Sequence, residues 1–314
     1  MRKSIFILGL LMLAPFGAAA QNAMPEVSPP DSVPQNGPTQ NGPTPLAPLP
    51  PVAPPHALVA LSAVFAPNDP QPIRSSLDWR VFSARTESDG SHALVAESKQ
   101  AEPAFSLEDG DYLVHVGCGL AGVTKPISVN GAPLRERMVL NAGGLKISGV
   151  MGEAPIPPAR LAIQVYLPDH NDPEAKLIMP SLRANEIECV PEGAYHIVSK
   201  LMDVTPGAIN ATNSVIYADL RVQAGKLTSG VLRHRAATMT LKLVNAPGGE
   251  ALANTSFSIL TPGGDVIREL IGAFPSLVLA EGEYVAIARH DSKTYQATFK
   301  VQSNQDRDVE VLAQ

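Results

Sequence analysis

Aromatic residues, basic clusters and membrane-spanning runs are all scarce in this sequence. Aromatic residues make up 5% of the 314 residues, with one tryptophan, which weighs against a broad sugar-binding surface of exposed rings. The net charge is −6, and no basic face is concentrated enough to neutralise phosphates, so a nucleic-acid partner is not expected. Beyond the N-terminal segment, no apolar run approaches the roughly 20 residues of a transmembrane helix, and none is predicted.

Catalytic and metal-binding motifs are missing as well. The seven histidines never fall at the H-x-x-x-H or H-E-x-x-H spacing of metal ligands. There is neither a G-x-S-x-G nucleophile elbow nor a glycine-rich phosphate loop, and the length leaves no room for a separate catalytic domain. We therefore predict no enzymatic activity, no cofactor and no metal.

One loop stays open as a ligand site. Residues Asp169–Glu174 offer several oxygen ligands of the kind that calcium prefers. They lack the order and the glycine of an EF-hand, so a plain solvated loop is the favoured interpretation, with a weak calcium site as the alternative.

The first 55 residues are predicted to lie outside any folded module. Arg2 and Lys3 precede a short apolar stretch, and Ala18–Ala20 provide small residues, which is typical of a secretory signal peptide over residues 1–20, cleaved before Gln21. Residues 21–55 are dense in proline, which excludes regular helix and central strand. We expect a disordered linker that acts as a spacer, and a periplasmic or secreted protein.

A six-residue phrase occurs three times, at Leu107–Tyr112, Val190–Tyr195 and Leu279–Tyr284. It reads apolar, any residue, acidic, Gly, any residue, Tyr. Its glycine is predicted to take a turn conformation reserved for that residue, in the copies Gly110, Gly193 and Gly282. Its tyrosine is predicted to begin a strand with the ring in the core and the hydroxyl bonded to nearby backbone, as a tyrosine corner, in the copies Tyr112, Tyr195 and Tyr284. The phrase is therefore interpreted as structural.

Alternating strand patterns surround each copy, and helical spacing is almost absent. Turn signals every 8 to 12 residues favour an all-β fold of three tandem Ig-like or prealbumin-like antiparallel β-sandwich modules. The predicted modules cover residues 56–142, 143–235 and 236–314. Trp79, Ile163 and Phe257 are expected to occupy equivalent core positions in them.

The two cysteines, Cys118 and Cys189, fall in the first and second modules. An oxidising compartment favours a disulfide between them. However, Cys118 shares strand parity with Tyr112 and Val116, so a free buried thiol is an equal alternative at this point.

The phrase and its flanking strands resemble the transthyretin-like or carboxypeptidase-regulatory-like (prealbumin-type) β-sandwich, whose usual signature is apolar–x–Pro/Asp/Glu–Gly–x–Tyr–x–Val. The resemblance covers residues 57–314. The third module, through Ala237–Val244 and Leu279–His290, also resembles exported bacterial proteins of unassigned role. The first module departs most from the pattern, at residues 87–103 and at Gly117–Gly119. The resemblance implies adhesion, stalk or accessory roles rather than chemistry.

These features together predict a non-enzymatic, exported cell-envelope protein. Its modules would act as a structural, adhesion or protein-interaction rod whose partner is an envelope protein or a wall or surface polysaccharide. The alternative is a set of carbohydrate- or peptidoglycan-binding modules, which predicts exposed aromatic residues grouped on one sheet face.

Overall fold

The computed structural model describes residues 56–168, 176–205 and 208–314. The predicted signal peptide (1–20), the linker (21–55) and the acidic loop Asp169–Glu174 lie outside the described residues, so these three stay predictions. Within the described ranges the chain is almost entirely β-strand, with one 3₁₀ turn at Pro158–Arg160. No helix in those ranges has the length and apolar content to cross a membrane.

Buried and exposed side chains alternate along the first half of the first strand. In β1 (His56–Val64), Ala57, Val59 and Leu61 are buried while Leu58 between them is exposed, as expected of a strand with one face in a core. Six further strands complete what we call sandwich 1: β2 (Asp78–Thr86), β3 (His92–Ser98), β4 (Ala104–Glu108), β5 (Gly110–Cys118), β6 (Ala121–Val129) and β7 (Leu134–Val139).

Sandwich 2 contains the longest strands of the described chain. Its members are β8 (Ala142–Met151), the short β9 (Ala154–Pro155), β10 (Leu161–Leu167), β11 (Lys176–Leu182), β12 (Ile187–Pro191), β13 (Gly193–Thr205), β14 (Ala208–Val222) and β15 (Leu227–His234). The strands β13 and β14 have 13 and 15 residues, whereas β5 and β6, at the same place in sandwich 1, have 9 each.

Sandwich 3 returns to the shorter pattern. Its strands are β16 (Ala236–Val244), β17 (Ser256–Leu260), β18 (Val266–Ile271), β19 (Ser276–Ala280), β20 (Gly282–His290), β21 (Lys293–Val301) and β22 (Arg307–Leu312). A two-residue turn with positive φ at Asp291 (46°) and Ser292 (62°) joins β20 to β21, as a type I′ hairpin requires. The dipeptide His290-Asp291 therefore belongs to a hairpin turn.

All three sandwiches share one topology of seven strands. Sandwich 2 adds the two-residue β9, which pairs with β8 and is left out when strands are counted, so that β12 is the fourth strand of sandwich 2. A three-stranded sheet places the first strand between the fourth, which is antiparallel to it, and the last, which is parallel to it: β4-β1-β7, β12-β8-β15 and β19-β16-β22. A four-stranded antiparallel sheet covers it, in the orders β3-β2-β5-β6, β11-β10-β13-β14 and β18-β17-β20-β21. The prediction of tandem all-β sandwich modules is confirmed.

The cores lie between the paired sheets and are built alike. Trp79, Ile163 and Phe257 are all buried. Their cross-strand partners are Val116, Ser199 and Ala288, and each partner lies four positions after the tyrosine of the repeated phrase. The three large side chains thus occupy the same position, where burial of each contributes roughly 2 kcal/mol or more.

Very short connectors join the sandwiches. Leu140 and Asn141 lie between β7 and β8, and Arg235 alone lies between β15 and β16. Ala142, at the end of the first predicted module, is the first residue of β8. Because the connectors are so short, the ends of neighbouring sandwiches are in contact, and we call these contact regions junction 1 (sandwiches 1 and 2) and junction 2 (sandwiches 2 and 3).

Candidate functional site: two junctions and an aromatic sheet face

The repeated tyrosines bond back to the strand that precedes them. The hydroxyls of Tyr112, Tyr195 and Tyr284 donate to the main-chain carbonyl four residues earlier, at 3.0, 2.6 and 2.8 Å. All three rings are buried, and this burial raises the pKa of each phenol. The tyrosines therefore fasten a corner inside each sandwich and offer no ring to a ligand.

The glycines of the phrase behave differently from the expectation. Gly110 has a φ of 159°, close to extended backbone, and no positive φ occurs at Gly193 or Gly282. A Cβ built at these two positions would meet the side chain of the following tyrosine at 4.0 and 3.5 Å, which is ordinary contact. The predicted left-handed turn is therefore absent, and the corner is made by a one-residue crossing from one sheet to the other.

The residue that crosses between the sheets is the acidic residue of the phrase, and in sandwiches 2 and 3 its main chain is hydrogen-bonded to a connector. Asp109, Glu192 and Glu281 each stand alone between the fourth and fifth strands of their sandwich. The amide N–H of Glu192 donates to the Asn141 carbonyl (2.8 Å), and that of Glu281 donates to the Arg235 carbonyl (2.9 Å). In sandwiches 2 and 3, the repeated phrase therefore also holds the connector that leads into its own sandwich.

Junction 1 is closed by a disulfide. Cys118, at the end of β5, is bonded to Cys189 on β12, with Cα atoms 5.7 Å apart. The amide of Leu120 donates to the carbonyl of Cys189 at 2.9 Å. Gly119 between them has a φ of 55°, and a Cβ there would collide with the Cys189 backbone. The tip of the β5–β6 hairpin is thus pressed against the fourth strand of the next sandwich.

Junction 2 is closed by a buried ion pair. The long β13–β14 hairpin reaches sandwich 3, where Asp203 Oδ2 lies 3.0 Å from Arg268 Nη1, with side chains only 10% and 17% exposed. Arg268 also donates to the Ala211 carbonyl at 2.9 Å, and Asp203 accepts from the Val278 amide at 3.3 Å. Each charge therefore keeps hydrogen-bond partners, as a buried pair needs.

Asn213 adds a second contact to junction 2. Its Oδ1 accepts from the Ala280 amide and its Nδ2 donates to the Tyr284 hydroxyl, each at 2.8 Å. The connector contributes too, since Arg235 makes a two-pronged pair with Glu281 at 2.7 and 2.9 Å. We call Asp203, Arg268 and Asn213 the polar clamp.

A histidine lies buried beside this junction. His234, the last residue of β15, is 1% exposed. Its Nε2 is 3.0 Å from Ser199 Oγ and its Nδ1 is 2.9 Å from Ser214 Oγ. Burial lowers the pKa of this imidazole, so it is neutral at pH 7. One of its ring nitrogens then donates a hydrogen bond to a hydroxyl, and the other accepts one from the second hydroxyl. The arrangement has the composition of a nucleophile and a base, but all three side chains are buried, which keeps substrates away from them.

Among the described residues, no group of three or more His, Cys, Asp or Glu side chains could hold a metal ion. An open groove of about 660 Å³ lies beside junction 1, lined mainly by Leu120, Leu177 and Ile178, with Lys176 and Glu192 at its polar edge. This described lining brings no nucleophile next to a base.

One sheet face of sandwich 2 carries a cluster of rings on its outer side. The rings of His196 and Tyr217 are stacked, with centroids 5.9 Å apart and planes at 23°, and Tyr166 meets His196 edge-on at 6.4 Å. Asp219 Oδ1 lies 2.7 Å from His196 Nδ1. We call Tyr166, His196 and Tyr217 the aromatic face. Its members were not singled out as a group from the sequence, although the position of His196 directly after the buried Tyr195 already indicates the opposite, outer side.

A family model described as the Rhizobiales growth-associated tandem repeat domain matches residues 238–313. This stretch lies within sandwich 3, from the third residue of β16 to just past the end of β22. No curated protein matches the chain.

Several solved structures align with the chain at low similarity. The Bacillus anthracis TIE protein is 15% identical over 82% of this chain, with a TM-score of 0.23, and the aligned region spans 51% of that protein. A streptococcal ancillary pilin is 10% identical over 82% of this chain and 99% of its own, with a TM-score of 0.28. The minor pilin of Streptococcus agalactiae is 12% identical over 56% of this chain and 94% of its own, with a TM-score of 0.26. This chain thus spans about half the length of the first of these.

Proposed function

We propose that this chain is a non-enzymatic, exported cell-envelope protein whose three sandwiches form a stiff spacer. It presents its surface to a partner, either another envelope protein or a wall or surface polysaccharide. The observation that carries the proposal is that both junctions are closed, one by the Cys118–Cys189 disulfide and the other by the polar clamp.

Closed junctions matter because tandem domains ordinarily move relative to one another. A spacer that bends at each connector does not hold its two ends at a fixed distance and orientation, whereas a spacer with fastened junctions does. Here one hairpin of each sandwich (β5–β6 or β13–β14) is attached to the fourth strand of the next sandwich in both cases. The same contact is made twice by different chemistry, which fits a requirement for stiffness.

The disulfide also supports export. Disulfides persist in oxidising compartments and are rare in the cytosol, and the pair Cys118–Cys189 agrees with the signal peptide predicted for residues 1–20. A periplasmic or secreted location is therefore part of the proposal.

Export is tested in a bacterial host with an epitope tag after Gln314. We expect the mature protein in the periplasm or medium, an N-terminus at Gln21, and no free thiol after unfolding without reductant. An unprocessed cytosolic chain with two free thiols would overturn the proposal. Crosslinking of the same tagged protein in envelope fractions then identifies the partner.

Stiffness is tested by distance measurements between spin labels on the purified protein. Labels at the exposed positions Leu94 in sandwich 1 and Leu177 in sandwich 2 span junction 1. We expect a narrow distribution that broadens in the Cys118→Ser/Cys189→Ser variant. An equally broad distribution in both proteins would contradict a stiff junction 1.

A carbohydrate-binding role is the second candidate, favoured by the aromatic face of sandwich 2. This role requires rings grouped on one sheet face, and here the exposed ring of Tyr217 stacks on the partly exposed His196, with Tyr166 beside it.

A further inference from the structure

The aromatic face is organised as rows across three strands. Tyr166 on β10, His196 on β13 and Asp219 on β14 are direct cross-strand neighbours. The next row on the same side of the sheet contains Gln164, Val198 and Tyr217. Because side chains two positions apart share a face, these six side chains lie on one side of the sheet. Val198 is buried (8% exposed), and the other five are partly or largely exposed.

Ring orientation on this surface is held in place. The hydrogen bond between Asp219 and His196 Nδ1 fixes the imidazole and turns Nε2 away from the carboxylate. The imidazole in turn supports Tyr217, which stacks on it while remaining 65% exposed. An aromatic side chain with that much exposure, held by a neighbour on one side, presents a preformed apolar plane to solvent.

Sandwiches 1 and 3 have no such plane, because the positions that match Tyr217 are Thr124 on β6 and Gln296 on β21. The residues that correspond to Tyr166 and His196 are Phe82 and Leu113 in sandwich 1, and Leu260 and Val285 in sandwich 3. The neighbour of Leu113 on β6 is Pro126, and that of Val285 on β21 is Thr298. Since the fold is shared, the rings and the carboxylate of sandwich 2 are not required to build the sheet.

We infer that the aromatic face binds a neutral saccharide chain. A pyranose ring offers an apolar C–H face that stacks on Tyr217, and hydroxyls around its edge that bond to nearby polar groups. Those groups are the Asp219 carboxylate, the Gln164 amide, the Tyr166 hydroxyl and, one row further, the Lys200 ammonium. Asp219 carries a negative charge, whereas Lys200 and Arg221, one row beyond Asp219 on the same side, carry positive charges. The proposed recognition uses ring stacking and hydrogen bonds to hydroxyls, and an uncharged polymer supplies both.

This inference deepens the proposed surface role by naming a class of partner, and it is tested separately from export because it needs only the purified protein. The full chain is titrated with cellohexaose and with chitohexaose in a calorimeter. These are β-linked pyranose chains without and with acetamido groups, so the two arms show which type of chain is bound. Saturable binding of either one is expected.

Matched variants connect the binding to the face. Tyr217→Ala removes the stacking plane and is expected to weaken binding about tenfold or more, whereas Tyr217→Phe keeps the ring and stays within about twofold. Phe274→Ala, which removes an equally exposed ring from sandwich 3 (58% against 65%), is the control and should bind as the original protein does.

Thermal unfolding of each variant separates binding from folding. Tyr217→Ala is expected to melt close to Tyr217→Phe, so a loss of affinity cannot be attributed to a loss of structure. The inference is overturned if neither hexasaccharide gives saturable heat, or if Tyr217→Ala and Phe274→Ala bind equally well.

Discussion

At junction 1 the nine-residue strands β5 and β6 end at the sandwich boundary, and one covalent bond attaches their tip to β12. At junction 2 the equivalent strands β13 and β14 run on for 13 and 15 residues and attach to sandwich 3 through side-chain hydrogen bonds and an ion pair. A short hairpin with a disulfide and a long hairpin with a polar clamp are thus alternative ways to fasten the same two elements.

The difference shows which parts of the contact belong to the fold and which are specific. Both junctions repeat the bond from the acidic corner residue to the connector, by Glu192 to Asn141 and by Glu281 to Arg235. The cysteines and the clamp residues are not repeated. Each junction therefore combines a shared main-chain frame with its own side-chain chemistry, and the two should respond to different perturbations.

Removing the disulfide is expected to have the largest effect. In Cys118→Ser/Cys189→Ser the unfolded chain regains the freedom of a loop with a sequence separation of 71, and we expect the free energy of unfolding to fall by about 4 kcal/mol. Urea unfolding with and without reductant measures it. The original protein in reductant should have the same free energy of unfolding as the variant, and reductant should not change the value for the variant. A transition of the original protein that is unchanged by reductant would contradict the expectation.

Breaking the buried ion pair should come next. Asp203→Ala leaves Arg268 without its carboxylate in a site where only 17% of its side chain is exposed, so we expect a loss of about 3 kcal/mol, insensitive to reductant. Asp308→Ala, which breaks the more exposed pair with Lys242, should cost less than about 1 kcal/mol. Similar losses in the two variants, measured by urea unfolding, would argue against a structural role for the clamp.

The link from Asn213 to the third tyrosine corner should have a smaller effect. Tyr284→Phe removes two hydrogen bonds, to the Ala280 carbonyl and from Asn213, whereas Tyr112→Phe removes one. We expect the first variant to lose about 1 kcal/mol more than the second. Adding Asn213→Ala to each variant completes the test: it should abolish the difference, and a difference that persists would place its origin elsewhere.

Acid is expected to destabilise the protein slightly through His234, which is buried in sandwich 2 beside junction 2. Burial lowers the pKa of His234 from its ordinary 6.5, so below that pH the unfolded chain binds a proton before the folded one does, and stability falls as the pH drops through this window. Thermal unfolding between pH 7.5 and 5 measures the slope. His234→Gln should reduce the slope and His56→Gln, at an exposed position, should not; equal slopes in both would contradict the assignment.

The repeated architecture could be predicted from the sequence because it depends on local signals. Period-two alternation placed Trp79, Ile163 and Phe257 in the core, and the spacing of the phrase indicated three units of one topology. The sequence also predicts the tyrosine corner. The left-handed conformation predicted for the glycines is wrong, because the crossing between sheets is made by Asp109, Glu192 or Glu281 and needs no positive φ.

The junctions and the aromatic face depend on partners that are distant in the sequence. Asp203 and Arg268 are 65 residues apart, and nothing local indicates that they meet. The same holds for Tyr166 and Tyr217, which converge on His196 only once the register of β10, β13 and β14 is set. Parity alone assigns each residue to a side of its strand, but grouping them requires the pairing of three strands.

The parallel pairing of the first and last strand in every sandwich has a mechanical consequence. Parallel neighbours place the entry of β1, β8 or β16 and the exit of β7, β15 or β22 at opposite ends of the same ladder. Tension along the chain therefore shears the two paired strands along their length. All hydrogen bonds of the ladder then bear the load together, instead of opening one at a time. Each sandwich is thus oriented to resist stretching in the direction in which the chain runs.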